Sequence, residues 1–127
     1  MTYMRPYLEL EQRTAEVLGW TDVTIDGDLD FGDWSAAWHN QTVLHGRPPD
    51  MEHHGAWFAV PRYIVEGKAL ELLELEEIDI NWYMSGPCAS DSFERVPRAL
   101  EDTAKHPTKR VALCVAICKL TIAIKTS

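Results

Sequence analysis

Positive charge is what this sequence most conspicuously lacks: Lys and Arg total 12 against 20 Asp and Glu, a formal net charge of −8. Affinity for a phosphate backbone is built from Lys and Arg, so the balance excludes a duplex-DNA binder. The converse role, imitating DNA, requires acids spread over one surface. The densest cluster, Glu66, Glu71, Glu74, Glu76, Glu77 and Asp79, reads instead as the solvated side of a helix. Long hydrophobic runs are also missing. The densest apolar stretch, Val111 to Ile124, is shorter than a membrane span and is broken by Lys119, so no membrane partner is expected. The opening Met1-Thr2-Tyr3-Met4-Arg5-Pro6 has no apolar core of a signal peptide, which points to the cytoplasm. Cysteine is scarce and odd in number, three in all, with Cys114 and Cys118 one helical turn apart. That pattern fits packed thiols in a reducing compartment rather than a disulfide frame.

Catalytic signatures are absent too. No Gly-x-Ser-x-Gly elbow, no phosphate-cradling Gly-x-x-x-x-Gly-Lys and no His-Glu-x-x-His occurs, which removes the common hydrolase and nucleotidase motifs. Asp26-Gly27-Asp28-Leu29-Asp30 has the spacing of a calcium loop, but Phe31 holds the sixth position and Ala37 the twelfth. An EF-hand needs Gly and a bidentate Glu there, so an acidic solvated turn is the better account. His39, His45, His53 and His54, with Asp50 and Glu52, are the densest set of metal-ligand types. Adjacent histidines on an extended segment point to opposite faces, and no two share a helical face. No metal and no cofactor is expected.

What is present suffices for one domain, 1–127: 46% of the 127 residues are hydrophobic, enough to bury a core without staples. Pro6 to Leu18 reads as a helix stopped by Gly19. Asp22 to Asp26 alternates with β-branched residues, as a strand does. The run His45-Gly46-Arg47-Pro48-Pro49-Asp50 reads as loop, because two prolines cannot donate to a ladder. Ala69, Leu70, Leu72, Leu73 and Leu75 form the apolar stripe of a second helix. Ile78, Ile80, Trp82 and Met84 alternate with polar residues up to Gly86-Pro87, a half-buried strand. Its hairpin partner is expected at Ser92 to Val96, across Gly86 to Asp91. A last helix starts near Pro107 and continues past Leu120, with an apolar face wide enough to pack on a sheet. The class is α+β, a small antiparallel sheet packed between helices in the manner of an α/β/α sandwich.

Several segments resemble the phage ABA-sandwich domain family: Val60-Pro61-Arg62-Tyr63, the Leu-rich helix, the Trp-bearing strand, and His106 to Ile117. Ala15 to Asp22 and the Gly46-Arg47-Pro48-Pro49 turn are similar to segments of the same small proteins. The similar segments are spread between Ala15 and Ile117. The resemblance implies a sheet between helices and a bacteriophage or prophage origin, hence the host bacterial cytoplasm. It transfers no activity and no catalytic residue. The acidic, His-rich stretch from Asp26 to His54 departs from simpler members of that family.

Aromatic content is the least ordinary feature, with five tryptophans: Trp20, Trp34, Trp38, Trp57 and Trp82. Tryptophan offers large contact area at low entropy cost and anchors interfaces. Trp20 and Trp82 read as packing residues, one beside a helix cap and the other on the alternating strand. Trp34, Trp38 and Trp57 lie in or beside the irregular middle, where loops carry function. With His39, Arg62 and Tyr63 they form the candidate binding set, for a host protein or a nucleotide-like small molecule. The expected function is binding, as an inhibitor of a host defence protein or a sponge for a nucleotide signal. The alternatives are a small metal-dependent nuclease or nucleotide hydrolase, and a self-associating packing protein.

Overall fold

Helix α1 (Met4–Val17) opens the chain in the computed structural model, which describes residues 4–25, 44–50 and 57–127. Leu8, Glu11, Thr14 and Ala15 are fully buried. Their three-to-four spacing places them along one face of the helix. The helix ends where Leu18, Gly19 and Trp20 donate back to carbonyls of its last turn. The chain then enters a three-stranded antiparallel sheet of order β1 (Thr21–Ile25), β2 (Leu44–Arg47) and β3 (Phe58–Ala59). Its first ladder is irregular between Thr21 and Thr24, where Asp22 takes a φ of 53°. Gln12 on α1 donates to the Val23 carbonyl at 2.9 Å, fixing the helix on the sheet.

The reading of His45 to Asp50 as loop is corrected here, since His45, Gly46 and Arg47 belong to the central strand β2. Both prolines fall just beyond its last paired residue, Arg47. The ladder therefore never needs their missing N–H groups.

Residues Tyr63–Ser127 form a second compact unit, after a first unit of Met1–Arg62. It starts with a 3-10 turn (Lys68–Glu71) running into a short helix α2 (Leu72–Leu75). A second antiparallel sheet follows, of order β4 (Ile78–Trp82), β5 (Pro87–Asp91) and β6 (Ala99–Leu100). Helix α3 (Lys109–Thr126) closes the chain and packs on the central strand β5. Ala112, Cys114, Ala116, Ile117, Cys118 and Leu120 on α3 are fully buried, and Cys88 of β5 is 3% exposed. All three thiols are thus buried core groups outside any disulfide, as expected of small apolar side chains. The α+β class holds, with the strands divided between two three-stranded sheets.

Two local expectations in this unit are corrected. The partner of β4 is Pro87–Asp91, not Ser92 to Val96. Tyr83 and Gly86 exchange backbone hydrogen bonds around Met84 and Ser85, so pairing resumes immediately at Pro87. Gly86 has a φ of 155°, and a Cβ there would collide with the Glu101 carbonyl; only glycine can close so tight a turn. Ser92 to Arg95 is instead a turn organised by Asp91, which accepts from the Phe93 and Arg95 amides. At the last helix, the cap is Thr108, whose hydroxyl accepts from the Val111 amide at 3.1 Å, and not Pro107 in the first turn. A Thr oxygen satisfies an otherwise orphaned donor, and Pro107 lies just outside.

Candidate functional site

The sequence candidates fall in different places. Trp34, Trp38 and His39 lie outside the described residues, as do His53 and His54. Trp57, just before β3, is 49% exposed. The Arg47 guanidinium sits 5.2 Å from its ring centroid and is itself held by Asp22 at 2.9 Å. Such a cation stacked on an aromatic face is a stable exposed platform. Arg62 is 2% exposed and donates through Nε to Glu11 Oε1 at 3.0 Å. Its Nη2 lies 3.0 Å from the same oxygen yet makes no hydrogen bond. Arg62 is therefore an element of the first unit's interior. Tyr63 is 6% exposed and belongs to the second unit, where its carbonyl accepts from Ala69.

The second unit carries a groove of about 620 Å³ that sequence reading did not anticipate. Leu70, Trp82, Tyr83, Met84 and Leu113 give it apolar walls; Gly86, Thr103, Lys109 and Arg110 complete it. Strand β4 grades from buried Ile78 to exposed Trp82 along its length. The end of the hairpin therefore overhangs the core. Trp82, read from its alternation as a packing residue, is 53% exposed, Tyr83 50%, and Met84 is fully exposed at the turn. Three consecutive large residues closely before a glycine turn were the signal: the alternation continues to Met84, which is exposed.

The opposite wall is the start of α3. Lys109 and Arg110 stand in its first turn, which contains no acid. Cations there oppose the helix dipole, whose N-terminal end is positive. Local positive charge is thus concentrated beside the apolar wall, against the sign of the whole chain. Exposed Arg110 passes close to Gly67, at φ +72°, where a Cβ would lie 2.8 Å from its Nε. That left-handed backbone angle favours glycine.

Two polar clusters in the same unit are structural. Glu101 accepts from His106 Nε2 at 2.9 Å and from Lys119 at 3.1 Å, tying the segment before α3 to the helix itself. Asp91 accepts from the Phe93 and Arg95 amides and from two nitrogens of the Arg95 side chain. The Arg95 side chain first, with those amides, holds its carboxyl down from 3.8 to about 2. Among the described residues, no group of three or more His, Cys, Asp or Glu is placed to hold a metal ion. Nor is any described helix long and apolar enough to cross a membrane.

Comparison with family models, characterised proteins and solved structures gives no match. The resemblance to the phage ABA-sandwich family rests on the sequence segments alone.

Proposed function

We propose that this chain acts by binding, as a phage-encoded accessory protein in the host cytoplasm that engages a host protein through the groove of its second unit. The observation that carries the reading is the exposed Trp82-Tyr83-Met84 run facing Arg110 across an apolar cleft. Trp, Tyr and Arg are the residues that dominate binding energy in protein interfaces. Met adds an adaptable apolar surface. A monomer has no folding reason to leave such a group in water, since each large side chain gains roughly 1.5–3 kcal/mol on full burial. Inhibition of a host defence protein is the role that a binding surface without catalytic motifs serves in a phage setting. A nucleotide-like ligand is the second reading, favoured by Lys109 and Arg110 at the start of α3, because helix N-termini with cations accept phosphate.

The test is native recovery of the purified protein from a bacterial host lysate, with bound proteins and small molecules quantified by mass spectrometry. Wild type and Phe93→Ala, which lies outside the groove, are expected to recover the same stoichiometric protein. Trp82→Ala/Tyr83→Ala is expected to lose it by about tenfold or more, the scale of a hot-spot truncation. Equal recovery by the double variant would remove the groove from the function.

A further inference from the structure

Resting on the reading that the groove binds, the geometry points to one kind of occupant. We infer that the groove takes a short acidic segment of a partner protein, one aliphatic or aromatic side chain flanked by carboxylates. The chain holds 20 acids and 12 bases, yet the nine residues lining the groove include two bases and no acid. Screening in physiological salt confines surface electrostatics to about 8 Å, so this local patch, and not the net charge, meets a docked segment.

Placement and chemistry agree. Arg110 is exposed and lines the groove, which presents its guanidinium beside the apolar wall. Its planar donor fork can meet a carboxylate with two parallel hydrogen bonds, which an ammonium cannot. Leu70, Trp82, Met84 and Leu113 offer an apolar seat next to it. A nucleotide base would need donors and acceptors along its edge, and among uncharged lining groups only Thr103 and Tyr83 provide hydroxyls. The apolar surface also extends to Met84 at the hairpin tip, where a chain segment covers more than a small ligand can.

Isothermal titration calorimetry of the full chain with three unlabelled nine-residue peptides tests this. Each carries a central Phe-Leu pair, flanked by Glu in the first, Gln in the second and Lys in the third. The Glu peptide is expected to bind, at least about tenfold more tightly than the other two, and to weaken as salt rises. Lys109→Gln/Arg110→Gln should lose about tenfold for the Glu peptide, the scale of one or two charge-assisted hydrogen bonds, while Phe93→Ala keeps full affinity. Equal binding of the Gln peptide, an unchanged charge variant, or displacement of the Glu peptide by AMP would overturn the inference. If no peptide binds while lysate capture still depends on Trp82 and Tyr83, the charge assignment falls and the groove reading stands. If capture ignores Trp82 and Tyr83, the reading itself fails.

Discussion

Asp91 and Arg62 show how single side chains divide labour between structure and surface. Asp91 is 4% exposed, and its carboxylate is held by Arg95 and two backbone amides. Its pKa is depressed from 3.8 to about 2, so its contribution to stability is complete above 3.8 and disappears as pH falls towards 2. Asp91→Asn should lower the midpoint of urea unfolding at neutral pH, and its difference from wild type should shrink as pH falls through that window. A difference that stays constant down to pH about 2 would contradict the role. Arg62, with Glu11 at 0% exposure, is the opposite case of a candidate binding residue used inside. Arg62→Met takes the paired guanidinium away from buried Glu11 and should cost ~3–5 kcal/mol in urea unfolding, the scale of breaking a buried ion pair. Sequence could not separate these uses, because an arginine that anchors a ligand and one that pairs inside the fold look alike until the partner, fifty-one positions away, is known.

Elements were more legible than sites. Helix α1, strand β1, strand β4 and helix α3 follow from periodicity, the two helices because each packs on a strand of its own unit. Periodicity is silent about what closes a turn. Gly86-Pro87 marked the end of β4, but the small residues Cys88, Ala89 and Ser90 carry little strand signal, so β5 was placed five residues late. Cys88 and Ala89 are nonetheless buried, in a strand on which α3 packs, a tertiary fact. Gly86→Ala should therefore cost about 2–4 kcal/mol by chemical unfolding, combining a disfavoured φ with the clash at Glu101. A loss below about 0.5 kcal/mol would show that the turn relaxes. Thr108→Ala, removing the cap of α3, should cost ~1 kcal/mol and Thr108→Asn much less.

For the molecule as a whole, the order of helical and alternating patterns was enough for the α+β class, while the groove was not readable. The aromatic emphasis on Trp34, Trp38 and Trp57 rested on loop position. The groove instead joins the end of a hairpin to the start of a helix, residues 82–86 and 109–113, two segments more than twenty positions apart. Hydrogen exchange of the intact protein, alone and bound to the partner recovered from host lysate, tests the central claim most directly. The account predicts that binding protects amides at 82–86 and 109–113. Protection confined to 57–62, around the Arg47–Trp57 platform, would contradict it and move the site to the first unit.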